Sequence, residues 1–324
     1  MAPLLRRTFD PTRLLAEHPP VLRHPHKRLV FELACPPAAV HRGPIELSRW
    51  PAAPLPAVLA LGDPEVTAVA GPYDYAGDPA GVWHVNFADP ELFFAYGSPL
   101  LAQDELQAAE HPALGAIREA LVAEGEPART EDDGAPTPVL VAGVERRCAL
   151  ATGPDAASGR PHGLYGNRFA AAPAAAVRAA VHVLDPPGRT NLIAIAAPVG
   201  SGRYRARELA AILTCAATGF AAAATESARL WPGAAVEVRT GFWGCGAFGG
   251  NRRVMALLQV LAARIARLDR LRFHAFDDAG RADFEAATAE LAELLTAQAP
   301  GEGTWALIER LEARGHAWGV GDGT

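Results

Sequence analysis

Twelve consecutive residues, 240–251, read TGFWGCGAFGGN, and five of them are glycine. Glycine allows a loop to turn sharply and to bring backbone N–H groups against a ligand. Residues 235–239 before this stretch are typical of a strand, and residues 252–268 after it carry apolar side chains at helical spacing. A glycine-rich connection between a strand and the N-terminus of a helix favours binding of an anion, typically phosphate.

Two alternatives exist for this stretch, which we call the glycine loop. The first is a tight turn whose glycines serve packing only. The second is a dinucleotide-binding fingerprint, because residues 244–249 read GCGAFG and match G-x-G-x-x-G. That fingerprint belongs to the first strand–helix unit of its fold. Here one evident strand follows the loop, and Phe242 and Trp243 crowd the turn, so the sequence argues against a dinucleotide site.

The second feature that could take part in a reaction is a pair of acids, Asp104 and Glu105. A long loop leads into a helix predicted from Gln103 to Ala109, which places both acids in its first turn. A positioned carboxyl group in a cleft can act as a general acid and base. Acids in a first helical turn more often only complement the helix dipole. The residues alone leave both interpretations open.

The elements around these features alternate between strands and helices. The sequence predicts strands at 66–69, 81–87, 138–142, 191–196, 235–239 and 271–276, and helices at 11–17, 103–109, 112–124, 205–224, 252–268, 281–297 and 304–314. This order indicates an α/β fold with a three-layer sheet. Both alternating sets of side chains in 81–87 suit burial, so this strand is predicted to bury both faces.

Composition limits the classes of protein. The chain has 324 residues and a formal charge of −6, which argues against broad binding of nucleic acid. The four cysteines are widely spaced, which favours free thiols, and no pattern calls for a cofactor or a metal. His24 and His26 fit surface residues better than metal ligands. Without a signal peptide or an apolar run of membrane-spanning length, we expect a cytoplasmic protein with no membrane partner.

The glycine loop resembles the C-terminal core of the poly(ADP-ribose) glycohydrolase family, which carries T-G-N-W-G-C-G-A-F-G-G-D followed by a leucine-rich helix and a Y-F-T-F-G-D strand. Collinear similarity extends upstream. His84–Asp89 resembles the family's V-D-F-A-N, Gln103–Glu105 resembles Q-E-E, and Leu192–Ile195 resembles an I-V-A-I strand. The resemblance covers roughly residues 60 to 280. It implies a macrodomain over residues 56–324, with an N-terminal helical accessory segment over residues 1–55.

The resemblance also implies a function and a site. Glu105 corresponds to the family's catalytic acid, with Asp104 as its neighbour. The expected reaction is hydrolysis of an ADP-ribosyl O-glycosidic bond, with ADP-ribose, poly(ADP-ribose) or ADP-ribosylated protein as partner. The glycine loop would hold the diphosphate, and Phe248 would pack on a ribose. The ligand-binding residues implied are Asn86, Asp89, Gly97, Ser98, Gln103, Gly244, Cys245, Gly246, Ala247, Phe248, Gly249 and Gly250.

Three departures from the family pattern bear on activity. The family's three glycines before Q-E-E fall near Phe93–Ala95 here, and its adenine-side tyrosines are missing, with Tyr165 as a substitute. In the glycine loop, Phe242 and Asn251 replace an Asn and an Asp. One alternative is therefore an altered macrodomain that binds ADP-ribose or a related nucleotide without turnover. Another is a scaffold whose diphosphate site is filled by Phe93, Phe94 or Tyr96.

Overall fold

The computed structural model describes residues 2–299, 301–321 and 323. Ten strands are present in this part: β1 (Leu5–Phe9), β2 (Ile45–Arg49), β3 (Glu65–Ala70), β4 (Val82–Ala88), β5 (Glu131–Asp132), β6 (Ala135–Pro136), β7 (Val139–Leu150), β8 (Val181–Ala196), β9 (Glu237–Gly241) and β10 (Arg270–Phe276). The helices are α1 (Pro11–Glu17), α2 (Pro25–Ala34), α3 (Gln103–Glu110), α4 (Ala113–Ala123), α5 (Arg168–Ala171), α6 (Ala174–Ala180), α7 (Ala206–Leu230), α8 (Arg252–Ile265), α9 (Asp278–Thr296) and α10 (Thr304–Ala313).

Eight strands form one mixed sheet in the order β1-β2-β7-β8-β4-β9-β10-β3. The strands from β8 to β3 run parallel to their neighbours, whereas β1, β2, β7 and β8 pair antiparallel. The carboxyl ends of β8, β4 and β9 therefore meet at one edge of the sheet. In open α/β sheets, the crevice outside such an edge is the usual place for a ligand.

Alternate side chains of the central strands enter two different cores. On β8, Ile193 and Ile195 join the core that includes residues of α7, α8, α9 and α10, whereas Leu192 and Ala194 join the core with residues of α1 and α4. Because successive side chains of a strand point to opposite faces, helices cover both faces of the sheet. The predicted α/β three-layer fold is confirmed. Strand β4 buries both faces, as predicted, since Trp83, His84, Val85 and Asn86 are all buried.

The N-terminal segment differs from the prediction of a helical accessory layer. Residues 1–55 supply α1 and α2, but also β1 and β2, and β2 extends the main sheet by pairing with β7. Charged residues interrupt both short strands, LRRTF and IELSR, which obscures their alternating pattern. The boundary between residues 55 and 56 stays a prediction.

Helix α7 has the length and composition of a membrane span, contrary to the expectation from sequence. Its best window has a mean hydropathy of 1.4, and 61% of that window is buried inside the fold. Small and apolar residues on most of its surface pack against the sheet, α8 and α10. Such burial is typical of a core helix in a large domain.

Candidate active site

Both predicted features lie at the carboxyl edge of β4, β8 and β9. The acid segment, residues 93–105, follows β4 and ends in the first turn of α3. The glycine loop includes the end of β9 and leads into α8. Gly241 lies close to Phe87 of β4, because a Cβ at Gly241 would be 3.7 Å from the Phe87 ring. Adjacent parallel strands thus bring the two segments to the same edge, although 135 residues separate Glu105 from Thr240.

Gln103 fixes the start of α3 to β4. Its side-chain oxygen accepts from the Phe87 N–H at 2.7 Å, and its side-chain nitrogen donates to the Val85 oxygen at 3.1 Å. Both ends of the amide are therefore engaged with the strand. These contacts position the acid pair that follows, and the ligand contact predicted for Gln103 stays a prediction.

Asp104 faces the interior of the protein. Its Oδ1 accepts from Asn86 Nδ2 at 3.0 Å, and the same nitrogen lies 2.9 Å from Gln107 Oε1. Gln107 in turn donates to the Tyr75 hydroxyl at 2.9 Å. Burial, followed by the negative charge of Glu105, raises the pKa of the Asp104 carboxyl group. Asp104 and Asn86 thus belong to an internal polar network. The catalytic role predicted for Asp104 and the ligand contact predicted for Asn86 stay predictions.

Glu105 is held differently. Its Oε2 accepts from the Ala102 N–H at 3.0 Å and so closes the N-terminus of α3. Its Oε1 accepts no hydrogen bond from the described residues, and it is not among their fully enclosed unpaired polar atoms. The residue is 4% exposed, so one oxygen is fixed while the other is nearly, but not fully, enclosed. Burial raises the pKa of this carboxyl group, although Lys27 opposes the rise. A raised pKa suits a general acid.

Lys27 is a residue of this region that the sequence analysis missed. It lies on α2, is 2% exposed, and its Nζ approaches the main-chain oxygen of Glu105 at 3.4 Å and the ring centre of Phe169 at 5.5 Å. Burial lowers the pKa of the ammonium group to about 8, while the charges of Glu105 and Asp104 act in the opposite direction. Because α2 is distant in sequence, no local pattern could have indicated this contact.

The glycine loop folds upon itself. The Gly249 N–H donates to the Gly246 oxygen at 3.0 Å, and the Gly250 N–H donates to the Gly244 oxygen at 2.8 Å. Gly244 has a φ of 74°, and a Cβ there would lie 2.5 Å from the Ala197 Cβ, so this position requires glycine. The N–H groups of Gly246, Ala247 and Phe248 have no acceptor among the described residues. Three consecutive free donors form a plausible cradle for an anion.

The helix after the loop does not supply these donors. Asn251 caps α8 and its Oδ1 accepts from the N–H groups of Arg253 and Val254 at 3.1 and 3.2 Å. Two amides of the first turn are thus engaged, which leaves the loop itself as the main source of anion contacts. Trp243 points inward and donates to the Ile195 oxygen at 3.0 Å, and burial raises the pKa of the Cys245 thiol to about 12. A raised pKa does not favour Cys245 as a nucleophile, and its predicted ligand contact stays a prediction.

The bulky residues that stand where the poly(ADP-ribose) glycohydrolase family has three glycines do not fill the glycine loop. Phe93 is buried in the core with α4, and its φ of 52° is a conformation that favours glycine. Tyr96 donates to Glu119 at 2.6 Å, and its hydroxyl accepts from the Val21 N–H at 2.5 Å. Phe94 is half-exposed beside Arg118. These contacts do not show the filled diphosphate site that the scaffold alternative predicts.

Gly97 and Ser98 have structural contacts of their own. The Gly97 oxygen accepts from the N–H groups of Arg23 and His24, both at 3.0 Å, and a Cβ at Gly97 would lie 2.3 Å from the Val21 oxygen. Ser98 Oγ accepts from the Leu100 N–H at 3.1 Å. Asp89 accepts from the Glu91 N–H at 3.0 Å. The ligand contacts predicted for these three residues stay predictions.

Residues 152–167 approach the acid segment from the other side. Gly166 and Leu101 exchange two backbone hydrogen bonds of 3.0 and 3.3 Å, which places Tyr165 next to the turn that leads to Glu105. Tyr165 is exposed. The structure thus brings Tyr165 near the place where the sequence analysis expected a substitute tyrosine, and its contact with a ligand stays a prediction.

Comparison with known proteins identifies the part of the chain that contains the glycine loop. Residues 182–283 match the sequence profile of the family described as Poly (ADP-ribose) glycohydrolase (PARG), Macro domain fold. Over this segment the chain is similar to the PARG family. The matched range contains most of β8 together with α7, β9, the glycine loop, α8 and β10, so the alternative of a dinucleotide fingerprint is excluded. Glu105 lies outside the range.

Solved structures with similar folds include PARG from Thermomonospora curvata bound to the inhibitor ADP-HPD, at 17% identity and a TM-score of 0.46, covering 88% of this chain and 84% of that one. PARG from Deinococcus radiodurans in complex with ADP-ribose is similar at 11% identity and a TM-score of 0.40, covering 90% and 94%. Both are distant in sequence from this chain. Its site residues therefore rest on its own geometry.

Proposed function

We propose that the protein is a glycohydrolase that cleaves ADP-ribosyl O-glycosidic bonds, with Glu105 as general acid and base. The observation that carries the proposal is the placement of Glu105. One carboxyl oxygen is fixed by the Ala102 N–H, the other is not fully enclosed, and burial raises the pKa of the carboxyl group. The same edge of the sheet carries the free amides of the glycine loop, in a segment that matches the PARG family.

The proposed reaction is a two-step hydrolysis. The proton of Glu105 passes to the leaving oxygen as the bond from that oxygen to the anomeric carbon breaks, which leaves an oxocarbenium-like ribose. Water then adds to this carbon, and the Glu105 carboxylate accepts the proton released. The free N–H groups of Gly246, Ala247 and Phe248 would bind the diphosphate and hold the ribose in place.

Lys27 and Asp104 act on Glu105 rather than on the substrate. The positive charge of Lys27 favours the carboxylate and so limits how far the pKa of Glu105 rises. Asp104 occupies the buried network with Asn86. We assign both as positioning residues, and the substrate class as poly(ADP-ribose) or ADP-ribosylated protein.

The test is release of ADP-ribose from poly(ADP-ribose) by the wild type and by Glu105→Gln. We expect a rate loss of about 10²- to 10⁴-fold, the usual contribution of a positioned acid–base group. Glu91→Gln is a matched control, because Glu91 is an exposed carboxylate of the same connection, with 61% of its side chain accessible. Equal loss in both variants would contradict the assignment of Glu105. Binding of ADP-ribose without release by the wild type would instead favour a binding module.

A further inference from the structure

Strand β3 is the last strand of the main sheet, and it has a neighbour on one side only. It pairs with β10. The Glu65 N–H donates to the Asp269 oxygen at 2.9 Å, so the main-chain groups of Glu65 are directed at the sheet. These groups point to alternate sides along a strand. The residues whose main-chain groups point outward are therefore Val66, Ala68 and Ala70. In the described part of the chain, no residue forms a hydrogen bond with these outward groups.

The two outer strands of the sheet differ in what protects their free side. Strand β1, with the sequence LRRTF, carries Arg6 and Arg7 in its interior. Strand β3, with the sequence EVTAVA, has its one charge at its first residue, Glu65, and contains no proline. Outer strands that stay unpaired usually carry charged residues or proline, which prevent another strand from pairing. The outward residues of β3 lack this protection, so β3 is able to accept a further strand.

The sequence around β3 is self-complementary for antiparallel pairing centred on Ala68. In that register Ala68 faces its own copy, and Val66 faces Ala70 of the second copy, with two main-chain hydrogen bonds in each such pair. Pro64 and Pro72 lie four residues before and four residues after Ala68, so they face each other, and neither has an N–H to donate. A shift of the register by one outward residue would set a proline opposite an outward residue and lose hydrogen bonds.

The side chains of β3 also suit a second copy of the same strand. In the register centred on Ala68, Thr67 faces Val69 of the second copy, and such β-branched pairs are favourable neighbours across strands. Glu65 faces Gly71, so no two like charges stand opposite each other. Thr67 is exposed, which leaves this face of the strand open to a neighbour. The matching hydrogen bonds, the flanking prolines and the absence of like-charge contacts together identify the occupant as another β3.

We propose that two copies of the chain associate through β3, antiparallel and around a two-fold axis at Ala68. The same surface of both copies forms the contact, and the two eight-stranded sheets become one. A contact limited to one short strand is typical of a weak dimer that depends on concentration. The carboxyl edges of the two sheets then point in opposite directions, so neither candidate site lies at the contact. The dimer does not depend on the proposed function.

Sedimentation measures the average mass of the wild type and of Ala68→Pro between about 1 µM and about 1 mM. For the wild type we expect the mass to rise from that of one chain towards twice that value. Proline removes the central outward N–H from both copies and leaves the pairing with β10 intact, as proline is tolerated on outer strands. The loss of two hydrogen bonds should weaken association by about 5- to 150-fold. Ala68→Ser is the matched control, because it keeps the N–H at this position.

Cross-linking tests the register independently. At the two-fold axis, residue 68 lies about 5.5 Å from its own copy between Cα atoms, which is a distance that a disulfide spans. We therefore expect Ala68→Cys to form a covalent dimer under mild oxidation. Thr8→Cys is the control, because Thr8 is exposed on the other outer strand, β1. This control should stay a single chain.

Each result decides for or against the dimer. A wild type that keeps the mass of one chain at every concentration would overturn the proposal, and so would a dimer that is equally strong in Ala68→Pro. If Ala68→Pro does not fold, the cysteine variants decide instead. Equal cross-linking of Ala68→Cys and Thr8→Cys, or cross-linking of neither, would then overturn pairing at Ala68. Failure to release ADP-ribose in all variants would concern the proposed function alone.

Discussion

The two halves of the candidate cleft are held in place by different means. The glycine loop is shaped largely by its own hydrogen bonds, such as that from Gly250 to Gly244, and by the Asn251 cap. The end of β8 adds contacts of Ile195 with Trp243 and of Ala197 with Gly244. The acid segment depends on distant parts of the chain, because Lys27 and residues 21–24 support it from the N-terminal segment. The first half matches the PARG family, and Glu105 lies outside the match.

The sharpest structural test of this comparison is Gly244→Ala in the glycine loop. The left-handed φ and the contact with Ala197 lead us to expect a loss of about 2–4 kcal/mol in the free energy of unfolding. Gly153→Ala is the control, since a Cβ at Gly153 meets nothing within 4 Å. Thermal denaturation measures both. Equal stability of the two variants would show that the loop is not rigidly determined by its own contacts.

Lys27→Met tests how the acid segment depends on the N-terminal segment. Removing the buried positive charge should raise the pKa of Glu105, so the general acid stays protonated to higher pH. At a pH above the alkaline limb of the wild-type profile, we expect kcat/KM of the variant to exceed the wild-type value by about 3- to 10-fold. Arg178→Met, which removes an exposed charge on α6, should leave the profile in place. An unchanged alkaline limb in Lys27→Met would remove Lys27 from the proposed mechanism.

A smaller effect is expected for Asp104→Asn, which separates the two acids. Burial raises the folded-state pKa of Asp104, so the folded protein retains a proton that the unfolded chain has lost. Wild-type stability therefore falls as pH rises from about 4 into the neutral range, whereas the variant has no such proton to lose. At pH 7 the variant should be more stable by about 1–3 kcal/mol, the usual cost of a poorly compensated buried polar group.

Chemical denaturation at pH 4 and pH 7 measures this difference. Asp63→Asn, at a side chain that is 97% exposed, is the control and should show no such dependence on pH. A variant of Asp104 that is less stable than the wild type at both pH values would contradict the buried, protonated state of this carboxyl group.

The sequence predicted the glycine loop more completely than the acid segment. The sheet, most helices and the glycine loop were predictable, because apolar periodicity and glycine spacing are local signals. The sequence predicted free N–H donors at the N-terminus of α8, but the side chain of Asn251 accepts from two of them. The sequence pattern alone did not distinguish a capped helix terminus from a free one. The contacts of Lys27 and the buried orientation of Asp104 depend on tertiary contacts between distant residues.

We expect the glycine loop to bind the ligand and Glu105 to cleave it. Titrating ADP-ribose into Glu105→Gln tests this most directly. We predict a dissociation constant within about threefold of the wild-type value, because a neutral isosteric side chain leaves the loop amides untouched. Release of ADP-ribose from polymer should be lost in the same preparation. Loss of binding together with turnover, or retained turnover, would contradict the account.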